Sequence, residues 1–441
     1  MESYILVMLY FGLSNFRPVG YVTLATHINP KIQSPKHHRM RIICQLPISS
    51  LFKPTYSLFV IMLFSIVAAI DYLVQYQEGS NVQADIVIGN FKASLKSMTA
   101  DQKLKLNKDV SVKRIEQNGV MRAFGTQKGA TWGLDRIDSR TGLDQEYNFP
   151  DTSGSGVTAY VIDTGIFTDH EEFEGRARFG FDSTGEGSAD GNGHGTHCAG
   201  TIGGKTYGVA KNVELVAVRV LDSQGSGTYE GVIKGIEWAV ADAQKSGKAK
   251  SKKAVANMSL GGGKSQVVND AVKAAVEAGL IMVVAAGNDG SDACNTSPAS
   301  EPLAITVGAS DKTDSAAYFS NYGPCVDVFG PGVDITSSWN TDKTAINTIS
   351  GTSMATPHTV GVVALYLGLG VTDIDTVLKE SSTRDVLKKM KKGTLNLFIY
   401  NQPTPSNPGE PIPTPTDSEP EEPCEKPWYC EWLPDRPECQ C

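Results

Sequence analysis

Between residues 156 and 286 the chain alternates two kinds of segment, and this alternation limits its fold more than any other feature. Short apolar runs at 156–162, 213–220, 254–260 and 280–286 each suit a strand buried on both faces. Tyr229–Ala243 and Val267–Ala278, lying among them, repeat their apolar residues at helical period. Strands that alternate with helices predict an α/β protein, a doubly wound, mostly parallel sheet with helices on both faces. Catalytic and binding groups of such sheets belong at the carboxyl ends of the strands.

Three stretches put reactive side chains at such ends. Tyr160-Val161-Ile162 runs directly into Asp163, which sets a carboxylate where the sheet opens. Gly191-Asn192-Gly193-His194-Gly195-Thr196-His197-Cys198 leads into a helix, and its small residues leave the His194 imidazole room to meet a substrate. Ser350-Gly351-Thr352-Ser353-Met354-Ala355-Thr356-Pro357-His358 precedes the apolar run 360–367, so Ser353 falls at a helix N-terminus. Free N–H groups and the helix dipole favour negative charge there. A serine hydroxyl needs a base to take its proton, and the order Asp163, His194, Ser353 supplies orienting carboxylate, base and nucleophile. Taken singly, each has a plainer reading as a turn cap or a structural histidine. His170, His197 and His358 are given no role.

The stretches 161–166, 190–200, 257–263, 285–290, 319–323 and 350–358 together resemble the subtilisin-like serine proteases, peptidase family S8, in their proteinase K/aqualysin branch. The resemblance runs from about residue 130 to 401 and implies a serine endopeptidase acting on protein or peptide substrates. It makes Ser353 the nucleophile, His194 the general base and then acid, and Asp163 the group that holds the imidazole. Asn288, otherwise a turn residue after glycine, becomes an oxyanion donor beside the Ser353 N–H. Gly225-Ser226-Gly227 and Ser259-Leu260-Gly261-Gly262 become the two edges that pair with substrate backbone. A pocket bordered by Ala285, Ala286 and Gly287 would accept aliphatic or aromatic side chains, with no acidic residue to select Lys or Arg.

The same resemblance implies a Cys294–Cys325 disulfide and a buried, non-catalytic thiol at Cys198. It implies structural calcium at Asp327 with the carbonyls of Pro302 and Ala304, and a second calcium at Asp135 and Asp138. Arg140 occupies a ligand position of a third site and so removes it. A protein of this fold that binds without cutting is the competing reading, and the complete set of reactive residues argues against it.

The remainder of the chain fits a secreted, extracellular zymogen. Residues 57–69 form an apolar run after Lys53 that reads as a secretory core, with Val67 and Ala69 at the cleavage positions. An uncleaved anchor at 57–70 is the alternative, although the run is short for a bilayer. On this reading residues 1–39 are an extension or a mis-assigned start, and 40–69 are the signal peptide. Residues 70–124 resemble the family's inhibitory propeptide, a small α+β module with a strand at Asp85–Ile88, a Lys-rich helical pattern, and strands at 110–115 and 120–124. It looks short, lacking the usual first strand. Residues 125–401 form the catalytic domain, which begins near Gly125–Thr126. A Pro-rich spacer follows at 402–423, and then a tail, 424–441, with Cys424, Cys430, Cys439 and Cys441. Trp428, Tyr429 and Trp432 suit that tail either as its own core or as a contact for a surface or matrix partner. The eight cysteines suit an oxidising compartment, and loss of Cys44 with the signal leaves at least one unpaired. A net charge of −8 argues against nucleic acid as a partner. The protein is expected to be a monomer. Of two sequons, Asn295 lies in a polar loop open to glycan, and Asn257 lies in a core strand that excludes it.

Overall fold

The computed structural model describes residues 70–118 and 124–403. The expectations for residues 1–69 and for the tail and most of the spacer lie outside the described residues. The chain divides into two compact units, Met1–Val120 and Met121–Cys441.

In the first unit, strands Ile86–Ile88, Phe91–Met98, Ile70–Tyr76 and Val112–Gln117 lie side by side in that order, all antiparallel. Tyr72, Val74, Tyr76 and Met98 form its core. The helix Ala100–Leu106 opens on a capping box, in which Thr99 and Gln102 satisfy each other's backbone N–H groups. Two expectations fail here. The first strand, thought to be missing, is Ile70–Tyr76, and its alternating inward residues begin where the apolar run read as a leader stops. The second expectation fails only in part: Phe91–Met98, with Lys92 and Lys96, is strand, while Ala100–Leu106, with Lys103 and Lys105, is the expected helix.

The second unit opens with strand Phe124–Lys128 paired antiparallel to Glu146–Pro150. Its main sheet contains β1 (Thr158–Asp163), β2 (Ala177–Asp182), β3 (Glu214–Arg219), β4 (Ala254–Met258) and β5 (Ile281–Ala285). It is completed by β6 (Ile305–Ser310), β7 (Val328–Pro331), β8 (Thr383–Arg384) and β9 (Leu397–Phe398). The spatial order is β8-β9-β7-β6-β5-β4-β1-β3-β2, with every pair parallel except β8 with β9.

Alternate residues of the central strands feed two separate cores, as a sheet covered on both faces requires. In β1, Ala159 and Val161 join one core while Tyr160 and Ile162 join the other. The first core packs against α1 (His194–Gly203) and α4 (Thr352–Gly368); the second packs against α2 (Tyr229–Lys245) and α3 (Gln266–Glu277). Helix α4 is apolar on all sides, and apart from Ser353 its residues 352–367 are buried, as befits a helix through the middle of a domain. A shorter helix, α5 (Ile374–Ser381), follows it. Cys294 and Cys325 form the expected disulfide, and Cys198 is a buried free thiol. No helix among the described residues is long and apolar enough to cross a membrane.

Candidate active site

Asp163 is the last residue of β1 and His194 the first of α1, and the two elements bring their side chains into contact. Asp163 is fully buried, and its Oδ1 lies 2.8 Å from His194 Nδ1. The same oxygen accepts the Thr164 N–H at 2.7 Å. This bond assigns the imidazole proton to Nδ1 and leaves Nε2 free to accept. Burial alone pulls the His194 pKa down, but the charge and hydrogen bond of Asp163, with Asp190 behind it, raise it above the ordinary value. Asp190 was not singled out in the sequence. Its carboxylate accepts from Thr164 Oγ1, the Asn192, Gly193 and Thr196 N–H groups and Thr196 Oγ1, tying the end of β1 to the start of α1. Glycine is required at 195, where a Cβ would lie 2.2 Å from the Gly165 carbonyl oxygen.

Ser353 stands in the first turn of α4 and lines the same cavity as His194, about 510 Å³ in volume. Its hydroxyl donates to the Ser259 carbonyl at 3.2 Å, and among the described residues no hydrogen bond joins it to the imidazole. A turn about Cα–Cβ into another staggered well redirects Oγ, and catalytic hydrogen bonds often tighten only with substrate bound. The helix beneath is fastened in an unusual way. Pro357 has no N–H to give the carbonyl four residues back, which is that of Ser353. Ser259 Oγ fills the gap at 2.9 Å and Cys198 Sγ approaches it at 3.4 Å. Burial, with the nearby Asp163 and Asp190 charges, pushes the Cys198 thiol well above its ordinary pKa, so it remains protonated.

The Thr352 backbone N–H can only donate, so the Asn288 atom that it meets at 2.8 Å is the amide oxygen. Thr352 Oγ1 holds the same atom at 2.9 Å. Asn288 Nδ2 is thereby left to face outward beside the N-terminus of α4. Gly225, Ser226, Gly227, Ser259, Leu260 and Gly261 all border the cavity that holds His194 and Ser353. Ala285, Ala286, Gly287 and Asn288 border a second cavity of about 510 Å³, which shares Ser353, Leu260 and Gly261 with the first. Gly287 has φ +105°, and a Cβ there would strike Asn321 Nδ2 at 2.3 Å. One expectation is corrected: the exposed Asp289 lies on the rim of this second cavity, so its lining does include an acid.

The three histidines left without a role are structural in their contacts. His358 Nδ1 meets the Met354 carbonyl and His197 Nε2 meets that of Ile335, and burial lowers both to about 4. His170 caps a short 3-10 turn by accepting the Glu172 N–H. Arg140 donates to the Ser381 carbonyl at 2.7 Å and stacks on Tyr400. Asn295 is exposed, while Asn257 is fully buried and bonded to Ser259.

The two expected calcium sets differ in how well they suit a cation. Asp135 accepts the Asp144 and Gln145 N–H groups, and Asp138 accepts the N–H and side-chain amide of Asn148. Burial, with the charges of Asp144 and Asp135, pushes Asp138 up to about 6. The neighbouring Arg136 turns away to Asp314 at 2.7 Å. Carboxylate oxygens are the hard donors that calcium takes. Asp144 adds its charge beside this pair and was not singled out in the sequence. Asp327 does not suit calcium as expected, because its Oδ1 is paired with Lys379 Nζ at 2.9 Å and its Oδ2 accepts the Thr306 N–H at 2.9 Å. The carbonyl-bearing residues Pro302 and Ala304 lie just ahead of β6. Among the described residues, only Asp163, His194 and Cys198 bring three ligand atoms of His, Cys, Asp or Glu within 4.8 Å of one another. That trio is already occupied by the Asp163–His194 hydrogen bond and a protonated thiol.

The profile of the Subtilase family, Peptidase S8, matches residues 154–398. An extracellular serine proteinase of Thermus sp. (strain Rt41A) is 52% identical over 308 residues, 68% of this chain and 73% of that protein. Proteinase T of Parengyodontium album is 49% identical over 290 residues, 65% of this chain and 98% of that protein. The crystal structure of a cold adapted subtilisin-like serine proteinase matches with TM-score 0.59 and 49% identity, covering 63% of this chain and 100% of the other.

Proposed function

This chain belongs to the Subtilase family of serine peptidases, and from that premise we propose a secreted endopeptidase of broad specificity that works through Asp163, His194 and Ser353 and is made as a zymogen. The observation that carries the proposal is the 2.8 Å Asp163–His194 hydrogen bond, opening on the cavity that Ser353 also lines.

When a peptide enters, Ser353 Oγ leaves the Ser259 carbonyl and attacks the scissile carbonyl while His194 Nε2 takes its proton. Asp163 stabilises the imidazolium that forms. The tetrahedral oxygen receives the Ser353 N–H, left without a helical partner by its place in the first turn, and Asn288 Nδ2. Collapse of the tetrahedral species breaks the C–N bond, and His194 returns the proton to the leaving amine. Water then enters by the same route and releases the acid product. The glycine-lined edges at 225–227 and 259–261 pair with substrate backbone, which is why sequence demands are loose. The pocket at Ala285, Ala286 and Gly287 takes apolar or aromatic side chains, and Asp289 on its rim adds tolerance for cationic ones.

The first unit acts as the chain's own inhibitory propeptide, released by a cut near the boundary between the two units. Asp135 and Asp138 would hold a structural calcium; once bound, it stabilises the fold by binding only the folded chain. A fluorophosphonate probe tests the catalytic reading directly. It should label the secreted wild type and leave Ser353→Ala and His194→Ala unlabelled; equal labelling of Ser353→Ala would overturn it.

A further inference from the structure

Lys379 holds the carboxylate that the family resemblance reserves for calcium, and we propose that its ammonium is the resident cation of that site. This chain has exchanged a divalent metal for an internal lysine.

The geometry is closed from three sides. Asp327 and Thr306 exchange backbone and side-chain bonds: the Asp327 N–H donates to the Thr306 carbonyl, and the Thr306 N–H donates to Asp327 Oδ2, each at 2.9 Å. The carboxylate is thus held at the approach to β7, with Oδ1 as its remaining donor. Lys379 reaches that oxygen from α5 at 2.9 Å, and Asp375, one helical turn earlier, holds the same ammonium at 2.8 Å. The Lys379 side chain is only 16% exposed and that of Asp327 21%, so water screens the pair poorly.

Calcium would need Oδ1 at about 2.3–2.6 Å. The ammonium already occupies that direction, and a second, divalent charge beside it would be strongly repelled. Lys379 also matches the local charge, since one cation answers the half-buried Asp327 and shares the more exposed Asp375. The pair braces the chain two residues beyond Cys325, whose disulfide anchors the same segment from the other side.

Counting bound calcium tests the exchange. The secreted enzyme, inactivated with a sulfonyl fluoride to prevent autolysis, is dialysed against radiolabelled calcium, and its Tm is followed with and without chelator. Wild type and Asp327→Asn should bind equal numbers of ions and show equal chelator-dependent shifts in Tm, even though Asp327→Asn melts lower in both conditions. Lys379→Met, or Lys379→Gln should Met not fold, should bind one ion more than wild type and gain calcium-dependent Tm that wild type lacks. One ion fewer in Asp327→Asn than in wild type, or no added ion in either Lys379 variant, would overturn the proposal.

Discussion

Replacing Asp163 with asparagine isolates the charge at the buried end of the catalytic line. The structure allows two poses for the new amide. In one, its oxygen keeps the positions of Oδ1 and still accepts from His194 Nδ1 and Thr164 N. The NH₂ group then replaces Oδ2, a buried atom with no partner among the described residues, and has nowhere to donate. What catalysis loses in this pose is the attraction for the imidazolium, about 4 kcal/mol for unit charges about 4 Å apart at an effective dielectric of 20. That corresponds to roughly 10³ in turnover. In the flipped pose the NH₂ donates to Nδ1, forces the proton onto Nε2 and removes the acceptor that Ser353 needs, an effect of about 10⁴ in a protease of another fold. Either pose therefore predicts a fall of about 10³–10⁴ in kcat with KM nearly unchanged.

The pH profile adds an independent check. The base must be neutral to act, so wild-type activity falls as pH drops through a His194 pKa held above 6.5. Without Asp163, burial dominates over the remaining charge of Asp190, and the acid limb should move below 6.5. The assay is kcat/KM on a chromogenic peptide from pH 5 to 9 at fixed ionic strength, with active sites titrated. A loss smaller than about 30-fold, or an acid limb that stays where wild type has it, would refute the reasoning.

Asn288→Ala should lower kcat by about 10²–10³ and leave KM almost unaltered, read from steady-state kinetics on the same peptide. Ser259→Ala removes the hydroxyl donor that meets the Ser353 carbonyl and leaves only the weak Cys198 thiol, so the urea midpoint should report a loss of about 1–3 kcal/mol. Asp289→Asn should reduce kcat/KM for a Lys-directed peptide by up to about 5-fold, the scale of an exposed ion pair, and leave a Phe-directed peptide unaffected. The Cys294→Ser, Cys325→Ser double variant, with a sequence separation of 31 across its lost bridge, should be less stable by roughly 3–4 kcal/mol in denaturant unfolding.

What the sequence disclosed and what it hid divide along the distance between interacting residues. Asp163, His194 and Ser353 each sit in a local pattern, an apolar strand or a glycine-rich turn before a helix, and such patterns can be read from a few neighbours. The alternation that predicted a doubly covered sheet is equally local, and the structure splits Ala159 and Val161 from Tyr160 and Ile162 as that alternation requires. Strand Ile70–Tyr76 escaped because its apolar residues continue from a run that could be assigned to a leader. Asp190 left a local sign, an acid three residues ahead of a helical glycine turn, and could have been found as a cap. Asp289 was passed over because a turn residue shows no direction until Gly287 fixes the loop.

The contacts with no local sign are those between distant elements, and two of them carry most of the chemistry left unseen. Pro357 marks the Ser353 carbonyl, four residues back, as lacking its helical donor, but nothing near it reveals that Ser259 and Cys198 supply the replacement bonds. Yet the consequence is specific. Helix α4 is fastened to the end of β4 and to α1 at Ser353, so the proposed substrate edge, base-bearing helix and nucleophile share one anchoring point. Ser259 serves that point twice, through its hydroxyl to the Ser353 carbonyl and through its own carbonyl to the Ser353 hydroxyl. Turning Oγ toward His194 breaks only the second of these bonds. The nucleophile can therefore change rotamer while its backbone stays fixed, which is what an oxyanion site built partly from its own N–H requires.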